Sequence, residues 1–318
     1  MRIGTRRSAL ALAQAELVAR MLGGDCEIVP IVTRGDRQQE PTRQHGSGDH
    51  GAITREGASE DKSRWVAELE DALARGQIDL AVHSAKDVPA ELAEGLELLG
   101  APMRAAVEDV LCGADSLEML PAGARVGTSS IRRLAQLRAA REDLHLVSIR
   151  GNVDTRLRKL ADASEDLDAI VLARAGLQRL GRESESGGLL DPERFVPAPG
   201  QGILALEGHA DDTRTREAVQ AITDGGAFAC LLAERALARE LGASCHTPLG
   251  AYAAPAGCGC LLLRAWVGLP DGSAWAGDEL LGGFYDPQAL GRRVAERLLA
   301  VGAGEMLAQA QEMAGQTA

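Results

Sequence analysis

The chain has 318 residues, 45% of them hydrophobic and 25% charged, a balance typical of globular proteins with two or three domains. It carries 34 Lys and Arg against 46 Asp and Glu, which gives a formal charge of −12. So acidic a protein repels phosphate backbones, and 3% aromatic residues supply few rings for base stacking. Composition therefore disfavours nucleic-acid binding, and the cores must be built from Leu, Val, Ile and Ala.

The amino-terminal residues and the cysteines bear on the cellular compartment. The sequence turns polar at once, without the apolar run of a secretory signal, and no run of about 18 apolar residues predicts a membrane span. Six cysteines in a chain of this length do not resemble a disulfide framework. We therefore expect a cytoplasmic protein with reduced thiols.

The first two hundred residues alternate β-type runs with helical patterns, which predicts an α/β fold. The first predicted elements are strand Met1–Thr5, a helix from Ser8 to about Leu22, strand Cys26–Thr33, helix Trp65–Arg75 and strand Ile78–His83. A second series follows: strand Arg125–Gly127, helix Ile131–Arg141, strand Leu144–Ile149, helix Val153–Leu160 and strand Ala169–Ala173. A Pro-rich stretch from Pro192 to Pro199 then predicts a crossing between domains, before strand Ile203–Glu207.

The last third of the chain has a different order of elements. The predictions are helix Phe228–Leu241, strands Leu249–Ala254, Cys260–Val267 and about Gly272–Leu281, and helices Pro287–Val301 and Glu305–Met313. Strands followed by helices indicate a small α+β domain with an antiparallel sheet. Between Arg34 and Ser63 there is almost no apolar periodicity, and a loop this long is either a lid or a disordered surface segment.

Polar clusters recur just after the predicted strands, at the edge where open α/β sheets bind ligands. They are Thr5–Ser8, His83–Pro89, Gly127–Arg133 and Arg150–Arg156. Carboxylates or phosphates can be bound there by hydroxyl groups, by N–H groups at helix N-termini and by the guanidinium groups of Arg132 and Arg133. Any one such arginine is more simply explained by a solvated helix face. Four basic clusters in an acidic chain, however, predict a cationic cleft for an acidic small molecule. The spacing is not that of a P-loop, which disfavours nucleotide hydrolysis.

Two further residues could carry chemistry. Asp87 follows a buried strand, where a carboxylate can stabilise positive charge that develops in a transition state, although a plain ion pair with Lys86 is equally compatible. Cys245 lies just past a helix, beside His246. It could be a nucleophile with a lowered pKa or a buried, inert thiol. The Cys258-Gly-Cys260 spacing is too close for a usual zinc knuckle, so we predict no metal site.

Eight motifs, in order along essentially the whole chain, resemble the porphobilinogen deaminase (hydroxymethylbilane synthase) family. They are Ile3–Ser8, Val32–Asp36, His83–Pro89, Val126–Arg133, Arg150–Arg156, Ala175–Gly181, Pro199–Gly202 and the Cys245 loop. The resemblance implies an α/β fold of two type II periplasmic-binding-protein-like lobes plus a small C-terminal α+β domain with an antiparallel sheet. The first lobe would span 1–102, completed by about 201–221, the second 103–200, and the cofactor-anchoring domain 222–318.

The resemblance also implies an activity. Family members are transferases of tetrapyrrole (haem and chlorophyll) biosynthesis that join four porphobilinogen molecules into hydroxymethylbilane and release ammonia at each step. It implies a monomer with a dipyrromethane cofactor held by a thioether to Cys245, which would make Cys245 an anchor rather than a turnover nucleophile. The competing class is a non-enzymatic two-lobed carboxylate-binding module, which needs neither Asp87 nor a modified Cys245. A thiol-dependent transferase is a weaker third interpretation.

The roles of individual residues follow from the same resemblance. Asp87, with Lys86, matches the catalytic position, where a fixed carboxylate stabilises the cationic azafulvene-like pyrrole left by the loss of ammonia. Cofactor binding is implied for Asp87, Lys86, Thr128, Ser130, Arg132, Arg133 and Arg156. Substrate binding is implied for Arg6, Ser8, Gln14, Arg150, Arg156 and Arg179. The chain departs from the family pattern at Gln38–Arg64, a longer and more polar lid that we expect to be mobile, with Lys62 and Trp65 at the family's lysine and phenylalanine positions.

Overall fold

The computed structural model describes residues 1–33, 63–244, 247–257 and 259–316, with only the backbone at 63–65 and 314–316. The strands, in chain order, are β1 Arg2–Arg6, β2 Glu27–Ile31, β3 Leu80–Ser84, β4 Leu96–Gly100, β5 Asp109–Cys112, β6 Arg125–Gly127, β7 His145–Val147, β8 Ala169–Ala173, β9 Leu189–Leu190, β10 Leu204–His209, β11 Leu249–Pro255, β12 Cys260–Gly268 and β13 Trp275–Gly283. The helices are α1 Ala9–Leu22, α2 Ser63–Ala74, α3 Ile131–Ala140, α4 Val153–Ala161, α5 Arg174–Arg179, α6 Thr213–Gln220, α7 Gly225–Glu240, α8 Pro287–Ala300 and α9 Ala303–Gln316. No helix in the described ranges is long and apolar enough to cross a membrane.

Two five-stranded sheets share one topology. The first has the order β2-β1-β3-β10-β4 and the second the order β7-β6-β8-β5-β9. In each, the first three strands are parallel and the fourth is antiparallel to its neighbours. The first sheet contains β1 to β4 and β10, and the second contains β5 to β9. The chain therefore crosses between the lobes twice, once before β5 and once before β10. This arrangement confirms the expected two-lobed α/β fold class.

Three helices that begin at these sheets have side-chain caps, of which the sequence predicted the one at Ser8. The Ser8 hydroxyl accepts a hydrogen bond from the Ala11 N–H at 3.3 Å, and the Asn152 side chain accepts one from the Thr155 N–H at 2.9 Å. Ser130 caps α3 in the same way. Such caps satisfy the unpaired N–H groups of the first helical turn and fix where each helix begins. Each helix therefore starts at the carboxyl edge of its sheet.

The third unit contains the antiparallel sheet β11-β12-β13 covered by helices α7, α8 and α9. Its core is aliphatic, with Leu237, Leu263, Val294 and Leu298 among its buried members. This confirms the predicted α+β unit. The boundaries of the three units in sequence stay a prediction.

A buried ion pair joins the third unit to the crossovers between the lobes. Arg104 donates to the Glu234 carboxylate at 2.7 Å and, through Nε, to the Gln201 carbonyl at 2.9 Å. Glu234 lies on α7 and also accepts the backbone N–H groups of Gly200 and Ala253, at 2.6 and 2.8 Å. Both partners are thereby satisfied, which a buried charge requires. The contact fixes α7 beside both crossover segments.

Most predicted elements lie within two or three residues of their observed bounds, and strand Ala169–Ala173 matches them. Helix α2 begins at Ser63, two residues before the predicted start at Trp65. Five elements were missed: β4, β5, β9, α5 and α6. Of the predicted lid Gln38–Arg64, the part up to and including Lys62 lies outside the described residues.

Candidate active site

Two cavities meet between the lobes. One, of about 270 Å³, is lined by Arg6, Ser8, Gln14, Asn152 and Arg179. The other, of about 810 Å³, is lined by Ser130 and Arg132 and extends to residues 242–244 and Thr247, the described ends of the Cys245 loop. Four side chains belong to both walls: Lys86, Asp87, Arg133 and Arg156. The structure therefore brings most of the predicted site residues around one shared centre.

Asp87 ends a short 3-10 helix, Ala85–Asp87, that follows the buried strand β3. The Ala85 N–H donates to the Ile203 carbonyl at 3.0 Å, and the Val88 N–H closes the turn on the Ala85 carbonyl at 3.2 Å. Across the described ranges, the Asp87 carboxylate makes no hydrogen bond and no ion pair. The alternative of a plain Lys86–Asp87 ion pair is therefore wrong, and the half-buried carboxylate is available to a ligand.

Lys86 is a cation in an unfavourable environment. Burial lowers its pKa to about 8, and the positive charge of Arg133 acts in the same direction, while Asp87 and Asp109 oppose the change. A ligand that brings carboxylates to this wall would stabilise the protonated form. The cavity wall is thus prepared for anionic groups.

Arg132 and Arg133 are buried rather than solvated, with 4% and 7% of their surfaces exposed. Asp109, on β5, accepts one Nη2 group from each arginine at 2.7 Å and the Gln201 side-chain amide at 2.8 Å. Burial alone would raise the pKa of Asp109, but the two guanidinium charges and their hydrogen bonds hold that pKa far below its usual range. The solvated-face explanation is therefore wrong for this pair, whose positions are set by one carboxylate.

The arginine pair retains unused donors. In the described part of the chain, the buried Nε groups of Arg132 and Arg133 have no hydrogen-bond partner. A buried donor without a partner is costly unless a ligand or water completes it. Both residues line the larger cavity, so an anion there has charged donors to meet.

Helix N-termini add to the positive potential. The capping residues Ser8 and Asn152 line the smaller cavity, and Ser130 lines the larger one. Unpaired N–H groups and the helix dipole favour anions at these ends. The cleft is therefore cationic although the whole chain is acidic.

All but one of the predicted substrate residues line the same cavity. Arg6, Ser8, Gln14, Arg156 and Arg179 line the smaller cavity. Burial lowers the pKa of Arg156 and of Arg179 to about 10, which leaves both protonated near neutral pH. Gln14 is held in place by its side-chain amide, which donates to the Ser84 hydroxyl at 2.9 Å.

Three predicted residues are not seen at a cavity wall. Arg150 is exposed and lines neither cavity. Thr128 is buried, and its hydroxyl accepts the Ser130 N–H at 3.2 Å, so its observed contact supports the turn before α3. Cys245 lies outside the described residues, as do His246 and Cys258. The described residues contain no group of His, Cys, Asp and Glu placed to hold a metal ion.

Sequence reasoning missed Asp109, Gln201 and Arg235. Asp109 begins the apolar run that continues through Val110–Cys112. A carboxylate at the start of a buried run indicates that it has an oppositely charged partner. Arg235 lies in the Ala- and Leu-rich helix α7, where a long cation among small residues is the corresponding signal. Neither signal identifies the partner.

Two family models match most of the chain. Residues 1–217 match the family model described as porphobilinogen deaminase, dipyromethane cofactor binding domain, and residues 228–300 match that of its C-terminal domain. The porphobilinogen deaminase of Brevibacillus brevis is 42% identical over 97% of this chain and 96% of its own length. That of Xanthomonas euvesicatoria pv. vesicatoria is 43% identical over 97% of this chain and 99% of its own length. That of Deinococcus deserti is 42% identical over 98% of this chain and 98% of its own length.

Among solved structures, the methionine-binding protein MetQ covers 70% of this chain and 89% of its own, at a TM-score of 0.42 and 14% identity. Similarity at this level does not bear on function. The family match supports the enzymatic interpretation and gives no support to the non-enzymatic carboxylate-binding module.

Proposed function

The chain belongs to the porphobilinogen deaminase family, and from that premise we propose that Asp87 and Lys86 form its catalytic centre and that Cys245 anchors its cofactor. Its activity follows from the family: it is a transferase of tetrapyrrole biosynthesis that joins four porphobilinogen molecules head to tail into hydroxymethylbilane, with release of ammonia. Its cofactor is a covalently attached dipyrromethane.

One observation carries the assignment of roles. Asp87, Lys86, Arg133 and Arg156 are shared by two cavities, and only the larger of these reaches the described ends of the Cys245 loop. A group tethered to Cys245 would extend along the larger cavity toward Asp87. The smaller cavity would then receive the incoming porphobilinogen from the opposite side of the same carboxylate.

The larger cavity fits a dipyrromethane by size and charge. Its volume of about 810 Å³ lies within the usual range for small-molecule sites. Lys86, Ser130, Arg132, Arg133 and Arg156 line this cavity and would bind the acetate and propionate groups of such a molecule. The unpartnered buried Nε groups of Arg132 and Arg133 support this fit. When bound, the dipyrromethane supplies the pyrrole end to which the first substrate ring is added.

Asp87 has the electrostatic role. When the protonated substrate amine leaves as ammonia with the bonding electron pair, the remaining pyrrole ring carries the positive charge. A fixed carboxylate without a competing partner stabilises that charge without reorganisation, which is where such groups contribute most to catalysis. Lys86 and the arginines bind the ring carboxylates and thereby hold the reacting ring beside Asp87.

The substrate contacts belong to the smaller cavity. Arg6, Arg156 and Arg179 would bind porphobilinogen carboxylates, with Ser8 and Gln14 completing the polar wall. Contacts from Thr128 to the cofactor and from Arg150 to the substrate stay predictions, since neither residue lines a cavity in this conformation.

We further propose that the protein is a cytoplasmic monomer with domains at 1–102 with 201–221, at 103–200 and at 222–318. Four cysteines in the described ranges are free thiols, which agrees with a reducing compartment. Light scattering tests the monomer, and cell fractionation tests the location.

Replacement of Asp87 by Asn tests the catalytic assignment. The amide keeps the shape and loses the charge, so turnover should fall by about 10²–10³-fold while the cofactor stays attached. Glu94→Gln is the control, because Glu94 is an exposed carboxylate in the same connection between β3 and β4. Loss of less than about tenfold in Asp87→Asn, with the cofactor present, would remove Asp87 from the centre of the mechanism.

A further inference from the structure

Arg235 lies on α7 and holds the backbone that follows Asp87. Its Nη2 group donates to the carbonyls of Pro89 and Ala90 at 2.7 and 2.9 Å, and its Nη1 group reaches the Val88 carbonyl at 3.4 Å. One half-buried guanidinium therefore contacts three successive carbonyls, the first of them in the residue next to Asp87. Charged donors make stronger hydrogen bonds than neutral ones, so this contact restrains the turn firmly.

The other restraints on that side come from the same helix: Arg239 donates to the Ala90 carbonyl at 3.1 Å and pairs with the Glu91 carboxylate at 2.7 Å. Pro89 has no N–H to donate, so the segment cannot pair there as a strand or helix would. The described contacts of the Asp87 turn run toward the crossover segment, through the Ala85 N–H and the Ile203 carbonyl at 3.0 Å. Because the Asp87 side chain makes no hydrogen bond or ion pair in the described part of the protein, the backbone of the turn sets the position from which its carboxylate reaches into the cavities.

The same helix leads into the cofactor loop. Helix α7 ends at Glu240, and residues 242–244 line the larger cavity together with Asp87. Cys245 follows directly in sequence. Arg235 thus ties the turn that carries the carboxylate to the helix that carries the cofactor attachment.

We propose that Arg235 is a positioning residue for the reaction: it fixes Asp87 relative to the cofactor loop by clamping the carbonyls of residues 88–90 to α7. This inference rests on the proposed roles of Asp87 and Cys245. Arg235 also lines the larger cavity, but its hydrogen bonds go to these three backbone carbonyls and none goes to the Asp87 side chain. A misplacement of about 1 Å at a reacting centre can cost about 10²-fold in rate, so loss of the clamp should lower kcat strongly.

Three variants form the test. Arg235→Leu removes all donors, and Arg235→Lys keeps the charge but concentrates it on one nitrogen that cannot reach three successive carbonyls. Arg138→Leu is the matched control, because Arg138 is also half-buried and also joins two units through a carbonyl, that of Pro270 at 3.0 Å, away from both cavities. Intact mass establishes the cofactor content of each protein before steady-state kinetics.

We expect Arg235→Leu to lose at least about tenfold in kcat with little change in KM, Arg235→Lys to fall between it and the parent, and Arg138→Leu to match the parent. A double-mutant cycle with Asp87→Asn, measured as single-turnover rates, gives the readout that a merely structural role would not move. Because Arg235 acts through Asp87, Arg235→Leu should add almost no further loss when Asp87 is already Asn.

The outcomes separate this inference from the proposed function. Full turnover in Asp87→Asn would overturn the catalytic assignment, and the inference with it. If Asp87→Asn is inactive while Arg235→Leu and Arg235→Lys both keep the parent kcat, only the inference fails. Equal losses from Arg235→Leu in the two backgrounds would also overturn it. Should Arg235→Leu fail to fold or to keep its cofactor, Arg235→Lys decides alone: a lowered kcat supports the clamp, and the parent kcat refutes it.

Discussion

The replacement Asp109→Asn should destabilise the protein more than its single charge suggests. Asp109 is 1% exposed and accepts hydrogen bonds from Arg132, Arg133 and Gln201 at 2.7–2.8 Å. The amide leaves two buried guanidinium groups without a counter-charge and turns an NH₂ group toward one of them. Breaking a buried ion pair in this way costs about 3–5 kcal/mol, and we expect about 3 kcal/mol because the amide oxygen still accepts one bond.

Urea unfolding followed by far-UV circular dichroism measures this loss. The control is Asp143→Asn, which removes an arginine–carboxylate pair of similar geometry, with Arg141 at 2.6 Å, from the surface of the same unit. Water and salt screen an exposed pair, so its removal should change the unfolding midpoint little. If Asp109→Asn shifted the midpoint no more than Asp143→Asn, the view that Asp109 anchors the arginine pair would be refuted.

The pH dependence of this difference has a definite sign. The folded state holds the pKa of Asp109 well below that of the unfolded chain, about 3.9. The stabilisation is therefore fully present above about pH 4 and is lost only as the pH falls through the lower folded pKa. We expect the difference in the free energy of unfolding between the parent and Asp109→Asn to stay constant from neutral pH down to about pH 4 and to become smaller only below it.

Two further changes test the cavity wall. We expect Cys245→Ala protein to lack the covalent group, and its porphobilinogen affinity should fall as the pH rises through about 8, because the pKa of Lys86 lies there. Adding Lys86→Arg should abolish this decline in calorimetric titrations. An unchanged decline would remove Lys86 from carboxylate binding. Gly200→Ala should lower kcat, because Gly200 has a φ of +76° and a Cβ would lie 2.9 Å from the Ala85 carbonyl carbon. Gly181→Ala, at a φ of +65° with open space around it, controls for backbone strain alone, and equal rates in the two variants would contradict the steric argument.

Local patterns predicted local structure well. The Ser8 cap located the start of α1, and the apolar run Ala169–Ala173 located β8 with its observed bounds. The missed strand β5 is only four residues long and starts with a charge, so neither length nor alternation distinguishes it from a loop. Strand β10 was predicted, but its insertion between β3 and β4 was not, because that pairing joins residues more than a hundred positions apart.

The same limit applies to the site. Motif order located Asp87, Lys86, Arg132 and Arg133, since each follows a predicted strand at the ligand-binding edge. The residues that hold them were not visible: Asp109 lies 23 positions before Arg132, and Arg235 lies 145 positions after Ala90. Hydrophobic periodicity carries no information on such partners, because they are selected by the packing of separate units.

The central claim is that a dipyrromethane tethered to Cys245 occupies the larger cavity beside Asp87. Intact-mass measurement of the purified active protein, followed by peptide mapping, tests it most directly. We predict a mass increase equal to one dipyrromethane, on the peptide that contains Cys245, and its absence from folded Cys245→Ala protein. Active protein of unmodified mass, or an adduct mapped to Cys258 or Cys260, would contradict the claim.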